Sequence, residues 1–119
     1  MKSNPKHIQA QKDGKAPMHL IPYGVLEGVA RVLASGAEKY GERNWRVDEI
    51  LGSTYEGSVF RHVFLEWASG QDEDKDSGEH PLDHAIAGLL ILRDAMIHGT
   101  HIDDRQRAES IDLSLSKGE

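Results

Sequence analysis

The feature that most constrains this chain is an almost wholly apolar segment, Ala85–Leu92, within a predicted helix. That helix is expected to run from about Ser77 or Gly78 to Ile97, with Pro81 tolerated in its first turn. A helix that is apolar around its circumference has to be buried on several sides. The 119 residues have room for one domain, which holds too few helices to cover such a segment. We therefore expect a helical bundle that is completed by oligomerisation.

Two further segments have apolar residues at helical spacing. The first, Gly24–Tyr40, is followed by Gly41, a residue that favours a helix end. The second begins at Ser53 or Thr54, either of which can cap a helix, and it ends at Gly70. Its apolar stripe consists of Val59, Phe60, Val63, Phe64 and Trp67. Together the helices predict an all-α fold.

The two ends of the chain lack this pattern. Residues 1–21 are rich in Lys, His, Gln, Gly and Pro, and they are expected to form an extended arm. Residues 99–119 are charged and weakly patterned, which indicates either a mobile tail or a short helix around Arg105–Leu113. The chain is thus predicted to be a single domain with an arm at one end and a tail at the other.

The composition excludes several classes of protein. A formal net charge of −6 argues against a nucleic-acid-binding module, which normally carries a basic patch, and suits a protein that gathers cations. The absence of cysteine excludes a disulfide framework and a thiolate zinc site. The polar first residues hold no apolar signal region, and no stretch approaches the ~18 apolar residues of a membrane span. We expect a soluble, cytoplasmic protein.

Three groups of polar residues have the side chains that metal and phosphate chemistry uses. They are the segment Gly36–Trp45, then Arg61 and His62 with Glu66 and Trp67, and finally Asp76 with His80, Asp83 and His84. His62 and Glu66 share one helix face, although such a pair is more often a surface salt bridge. His80 and His84 suit one metal ion, but Pro81 stands where a metalloprotease has its catalytic glutamate. Charged residues near helix ends also serve as caps, so each group is a weak signal alone.

The groups are more informative together because their acidic residues come from three helices. Glu38, Glu66 and Asp83 are each flanked by apolar positions, so a bundle could bring their carboxylates together. Carboxylate ligands favour Mg²⁺ or Mn²⁺ over zinc, and nearby imidazoles make Mn²⁺ especially acceptable. A triphosphate needs cations for its outer oxygens. The candidates for that role are Lys15, Lys39, Arg43 and Arg61.

The order of several short motifs resembles that of a known family. The motifs are Lys12–Pro17, Ile21-Pro22, the KYGxxNW pattern at the end of Gly36–Trp45, Arg61-His62, and His84-Ala85. Over about residues 10–97 the chain is similar to the phage dATP/dGTP diphosphohydrolases. That family is grouped with the all-α pyrophosphohydrolases of the MazG and HisE type, so the resemblance implies a MazG-like helical bundle.

The resemblance also implies a metal site. MazG-type enzymes bind Mg²⁺ through an EExxE motif on one helix and an ExxD motif on the next. His80-Pro81-Leu82-Asp83 is similar to the second motif, while His62 and Glu66 match the first and last positions of the first motif. The implied site holds two or more Mg²⁺ or Mn²⁺ ions on Glu38, Glu66 and Asp83. His62 or His80 would act as a ligand, as a partner of a ligand or as a proton carrier.

The implied reaction is hydrolysis of a purine (deoxy)nucleoside triphosphate, preferentially dGTP or GTP, to the monophosphate and pyrophosphate. Enzymes of this family serve 2-aminoadenine nucleotide metabolism in some phages, and a homodimer or homotetramer is expected here. The expected substrate contacts are Lys15, Lys39, Arg43 and Arg61 to phosphates, Tyr40, Asn44 and Trp45 to the base by stacking and edge hydrogen bonds, and His84. Two alternatives stay open: a non-catalytic, metal-stabilised helical protein, and a phage nucleic-acid accessory protein that uses the basic arm.

Overall fold

The computed structural model describes residues 4–106, most of which are helical. The helices are α1 (Pro5–Lys12), α2 (Tyr23–Tyr40), α3 (Gly52–Phe60) and α4 (Pro81–His98). α3 continues into a π-helical segment, Arg61–Glu66, and 3₁₀ turns lie at Met18–Leu20, Asn44–Arg46 and Trp67–Ser69. Two short strands, β1 (Ile50–Leu51) and β2 (His101–Ile102), pair in parallel with Ile50 opposite His101. The predicted all-α class is confirmed.

Glycines end the three long helical runs. Gly41 follows α2 with φ of 92°, Gly70 follows the run that starts as α3 with φ of 100°, and Gly99 follows α4 with φ of 73°. This left-handed region is open to glycine at little steric cost, so the chain can turn away from the helix axis there. The predicted helix ends at Gly41 and Gly70 agree with the structure.

The start of α4 differs from the expected start at Ser77 or Gly78. His80 has an extended backbone, with φ of −68° and ψ of 137°, because a residue before proline is disfavoured in the helical region. The His80 side chain then caps the helix, since its Nδ1 accepts the backbone N–H of Leu82 at 3.0 Å. Three to four residues that we expected in the helix therefore belong to the preceding loop.

The arm is partly helical and not extended as predicted. Asn4 Oδ1 accepts the N–H of Lys6 at 2.8 Å, and Pro5 occupies the first helical position of α1, so an ordinary cap starts this helix. No residue from 4 to 27 is buried, so the arm still lies along the outside of the fold. Of the tail, residues 101–102 form β2, while residues 107–119, and with them most of the predicted helix around Arg105–Leu113, lie outside the described residues.

Helix α4 packs against both α2 and α3. Glycines permit this close approach: a Cβ on Gly28 of α2 would lie 2.0 Å from Asp83 Oδ2, and one on Gly88 of α4 would lie 3.3 Å from Val59 Cγ2. The buried side chains of α4 are small as well, namely Pro81, Ala85, Ala87 and Ala95. The core consequently depends on small residues at the helix contacts more than on large side chains.

The apolar segment of α4 is covered by α2 and α3 over part of its circumference. Ala85 and Ala87 are buried, whereas Leu89 and Leu90 are 51% and 46% exposed. Covering by a second subunit, which we expected from the sequence, stays a prediction. Within residues 4–106, none of the helices combines the length and the apolar character that a bilayer span requires.

Replacing Gly28 by alanine tests the close packing of α2 on α4. The new methyl group would overlap the Asp83 carboxylate, so either that side chain changes rotamer or the helices separate. We expect the free energy of unfolding to fall by about 1–2 kcal/mol, more than the gain of alanine over glycine within a helix. Urea denaturation followed by circular dichroism at a fixed protein concentration measures this change.

Gly57→Ala is the matched control, because Gly57 also lies within a helix and a Cβ there meets nothing within 4 Å. That variant should be as stable as the original chain, or more stable by up to about 1 kcal/mol. Equal unfolding free energies for the two variants would contradict the packing described here.

Candidate active site

A cavity of about 420 Å³ lies between α2, α3 and α4. This size suits a nucleotide-sized ligand. Its floor is a stripe of α4 at spacings of three and four residues, His84, Ala87, Gly88 and Ile91. The other walls come from the C-terminal half of α2, the turn after it, α3 with its π-helical segment, and the loop before α4. The polar lining residues are Ser35, Lys39, Tyr40, Asn44, Trp45, Tyr55, Ser58, Arg61, His62, Glu66, Asp74, Asp76, Ser77 and His84.

One part of the wall carries a cluster of acidic and imidazole groups, which we name the His62–Glu66–Asp74 cluster. One possible ligand atom from each of the three side chains lies within 4.8 Å of the other two. His62 Nδ1 is 2.7 Å from Glu66 Oε1. The three side chains are 11%, 18% and 13% exposed, so they are largely withdrawn from water while they face the cavity. Largely buried carboxylates that lie so close together call for a compensating charge.

The π-helical segment positions two members of this cluster. The backbone hydrogen bonds of Arg61–Glu66 span five residues, as in the bond from the N–H of Trp67 to the carbonyl of His62. Single π turns within α-helices occur often at functional sites, where they redirect side chains. Here His62 is buried and Glu66 half-buried on the cavity side, while neighbouring Phe64 and Leu65 are exposed. The i, i+4 pair that the sequence predicted is therefore a cavity-facing pair and not a surface salt bridge.

Asp74 is held by the loop that precedes α4. Its Oδ1 accepts the backbone N–H groups of Asp76 at 2.9 Å and Ser77 at 3.0 Å. Burial by itself would raise the pKa of Asp74, but these backbone donors and the nearby His84 outweigh it, and the pKa lies below its ordinary value. The carboxylate is therefore charged at neutral pH and available to a cation.

His84 reaches the same region from α4. Its ring stacks on that of His62, with ring centroids 4.6 Å apart and planes inclined by 20°. Its Nε2 is 2.6 Å from Ser77 Oγ and 4.0 Å from Asp74 Oδ1. Burial and the neighbouring His62 lower the pKa of His84 below its ordinary value. At neutral pH the ring is thus an uncharged hydrogen-bonding group.

A second part of the wall comes from the end of α2 and the turn after it. Lys39 and Tyr40 are the last residues of α2, and Asn44 and Trp45 follow Arg43, which has a left-handed backbone with φ of 53°. Trp45 Nε1 donates to Asp94 Oδ2 at 2.7 Å. No hydrogen bond to the Asn44 side-chain amide occurs within residues 4–106, so this group is available to a ligand in the cavity.

Of the residues predicted for the site, eight line this cavity: Lys39, Tyr40, Asn44, Trp45, Arg61, His62, Glu66 and His84. Two of the proposed ligands do not. Glu38 is exposed, because the cavity-lining face of α2 carries Gly36, Lys39 and Tyr40 and Glu38 lies off that face. Asp83 lies against Gly28 of α2 instead of the cavity. The cavity of a single chain therefore does not include Glu38 or Asp83. Their role as metal ligands stays a prediction.

Three other predicted residues also lie away from the cavity lining. Lys15 is in the arm, where its Nζ is 4.0 Å from Asp13 Oδ2. Arg43 Nη1 is 3.3 Å from Glu42 Oε1 on the exposed turn. His80 caps α4, and its Nε2 is 3.5 Å from Asp72 Oδ1. Within residues 4–106 no contact brings these three side chains to the cavity, and their roles stay predictions.

Asp74 is the residue that sequence reasoning missed. The acidic run from Gln71 to Glu79 predicted a loop, and Asp76 was the member assigned to a cluster. An aspartate two or three residues before Asp-Ser-Gly is a typical signal for a side chain that folds back on its own loop. That signal could have identified Asp74 as a fixed carboxylate.

The donors of the His62–Glu66–Asp74 cluster fit a divalent metal ion. Two carboxylates and one imidazole form a set that Mg²⁺ or Mn²⁺ accepts, with Mn²⁺ more tolerant of the nitrogen. A proton on His62 Nδ1, donated to Glu66, would leave the lone pair of Nε2 free for a cation, and a carboxylate commonly orients a metal-binding histidine in this way.

A helical domain with a nucleotide-sized cavity, a carboxylate–imidazole cluster and nearby cations is of the kind found in nucleotide hydrolases. The chain belongs to the family described as dATP/dGTP diphosphohydrolase, N-terminal, whose model matches residues 5–105. It is 37% identical over 101 residues to a dATP/dGTP diphosphohydrolase of Salmonella phage PMBT28, which covers 82% of this chain. This chain spans about a third of that relative, 33% of its length. No solved structure gives a significant match. The predicted family is confirmed.

The surroundings of His84 predict how its pKa responds to two substitutions. The Asp74 carboxylate favours the protonated ring and His62 disfavours it, so Asp74→Asn should lower the pKa of His84 further and His62→Gln should raise it. Nitrogen-detected NMR titration of the imidazoles in metal-free protein measures both changes. Shifts in the same direction for the two variants, or an unshifted pKa in the original chain, would contradict this description.

Proposed function

We propose that this chain hydrolyses purine (deoxy)nucleoside triphosphates to the monophosphate and pyrophosphate with Mg²⁺ or Mn²⁺. The observation that most supports this proposal is that one cavity combines the His62–Glu66–Asp74 cluster with two cations and three aromatic residues. The family description and the name of the phage relative support nucleotide hydrolysis as the activity. The preference for guanine and the metal requirement are our own inferences, drawn from the family resemblance and from the polar groups that line the cavity.

The acidic cluster is proposed to hold the metal. Glu66 and Asp74 supply oxygen ligands and His62 supplies a nitrogen or orients Glu66. Two or more bound divalent ions would supply an activated water and would neutralise charge on the bridging oxygen of the substrate. His84, uncharged and hydrogen-bonded to Ser77, can accept a proton close to these carboxylates.

Lys39 and Arg61 are proposed to bind the phosphates. Within residues 4–106 neither side chain forms an ion pair, so the charge of each remains available to a polyanion. Arg61 has a weak contact, 3.5 Å, from Nη2 to Ser58 Oγ. An arginine that is not already paired can present its planar donors to two phosphate oxygens at once.

Asn44 is proposed to read the base. Its amide offers both a donor and an acceptor, and guanine presents O6 as an acceptor together with N1–H and the 2-amino group as donors. Adenine presents the opposite pattern at position 6. A polar site that is built for one base rejects the other because its own groups are left unpaired.

The variant Glu66→Gln tests both the proposed reaction and the proposed role of Glu66 as a metal ligand. We expect the original chain to release pyrophosphate from dGTP in the presence of Mg²⁺ or Mn²⁺. The variant should lose at least about 100-fold in kcat/KM, because loss of a ligand costs no less than loss of its supporting partner. Glu49→Gln, which changes an exposed residue outside the cavity, should keep full activity.

Two further arms of this assay separate the alternatives. Glu38→Gln shows whether the predicted ligand on α2 takes part, because a loss matching that of Glu66→Gln would place it in the metal site of an assembled protein. Rates on dGTP, GTP, dATP, dCTP and dTTP should favour dGTP over dATP by at least about tenfold, or roughly 1.4 kcal/mol. Equal rates on all five would overturn the guanine preference, and release of inorganic phosphate alone would overturn the reaction class.

We also propose that the chain forms a homodimer or homotetramer. Leu89 and Leu90 are exposed, and an apolar hollow of about 240 Å³ between α3 and α4 includes Leu89, Leu92 and Met96. A second copy would remove this surface from water.

Light scattering at micromolar concentration should give a dimer or larger species, and Leu90→Lys should shift it toward the monomer. The control Val47→Lys, at a residue that is already 81% exposed, should leave the oligomeric state unchanged. A monomeric original chain would contradict the proposal.

A further inference from the structure

Trp45 of the cavity wall is tied to the carboxylate of Asp94 on α4. Trp45 Nε1 donates to Asp94 Oδ2 at 2.7 Å. Arg46 binds the same carboxylate through two bonds, Nε to Oδ2 at 2.7 Å and Nη2 to Oδ1 at 3.1 Å. Trp45 lines the cavity whereas Asp94 does not, so the bond to Asp94 directs the N–H edge of the indole away from the cavity.

We propose that Asp94 is a positioning residue that makes Trp45 a stacking surface for the nucleobase and removes it as a hydrogen-bond donor. This inference rests on the proposed function, since it concerns how the same cavity binds a base. An indole has one N–H donor and no acceptor. With that donor committed to Asp94, Trp45 offers the ligand its ring alone. Of the stacking and edge hydrogen bonds expected of Tyr40, Asn44 and Trp45 together, stacking is then the contribution of Trp45.

The surroundings of Trp45 hold both its side chain and its backbone. The carbonyl of Trp45 accepts Thr100 Oγ1 at 2.5 Å, and the carbonyl of Thr100 accepts the N–H of Ile50 at 2.9 Å. Arg46 and the indole donor lower the pKa of Asp94 to about 2, so its carboxylate stays charged at neutral pH. Side-chain and main-chain bonds from one end of α4 thus fix the ring in the wall.

This arrangement divides base recognition between two residues. Stacking on an aromatic ring is tolerant of base identity, because each base has a flat face. Asn44, whose amide has no partner within residues 4–106, is then the residue that distinguishes guanine from adenine. Loss of Asp94 should accordingly weaken binding of both purines by the same factor, whereas loss of Asn44 should change their ratio.

The test uses Trp67→Phe protein, in which Trp45 is the one remaining tryptophan of the two in the sequence. The probes are the α,β-methylene analogues of dGTP and dATP with Mg²⁺, which bind without being hydrolysed. In this background, Asp94→Ala should shift the emission of Trp45 to longer wavelength and weaken both analogues about tenfold. Asp94→Asn keeps an acceptor oxygen for the indole and should restore most of the emission and affinity.

Arg46→Met is the control for a purely structural role. It removes the ion pair with Asp94 but leaves the indole bond, so it should lower thermal stability while emission and both affinities stay within about twofold. An equal loss of affinity in Arg46→Met and Asp94→Ala would overturn the positioning role. So would an Asp94→Ala protein with unchanged emission and affinity, or one whose dGTP-to-dATP ratio changes. Failure of the original chain to bind either analogue would instead overturn the proposed function, and this inference with it.

Discussion

The close approach of α4 to its two neighbouring helices is the constraint on which the cavity depends. Gly28 and Gly88 have no Cβ at the two contact points, where a Cβ would meet the side chains of Asp83 and Val59. Since α2 and α3 both pack on α4, the space between α2 and α3 has α4 as its floor. The cavity therefore depends on this close helix packing, and helices hold many of the side chains that line it.

The largely buried polar groups of that cavity form hydrogen bonds and stacking contacts with one another. Glu66 contacts His62, His84 stacks on His62 and contacts Ser77, and the loop that supplies Ser77 also holds Asp74 through two backbone N–H groups. Each group is withdrawn from water, so leaving any one of them without a partner would be costly. The loop before α4 and the π-helical segment after α3 are therefore coupled through these contacts, although they are separate in sequence.

Three of the four α-helices and half of this site could be predicted from the sequence because both depend on local spacing. Apolar periodicity and terminal glycines identified three helices, and the i, i+4 spacing of His62 and Glu66 identified the pair. Asp74 was missed because its position depends on how one loop folds back on itself. The expected convergence of Glu38 and Asp83 with Glu66 required knowing which face of each helix turns inward. That depends on packing between helices, which a single sequence does not reveal.

The charges around the cavity explain why a metal and its nucleotide would bind together. Three carboxylates line it, Glu66, Asp74 and Asp76, against two cations, Lys39 and Arg61. A triphosphate carries several negative charges, so the two cations cannot offset both the substrate and the carboxylates. Divalent ions between the carboxylates and the phosphates would reverse this repulsion. Under the proposed function, the acidic lining would therefore favour the metal complex of the nucleotide over the free nucleotide.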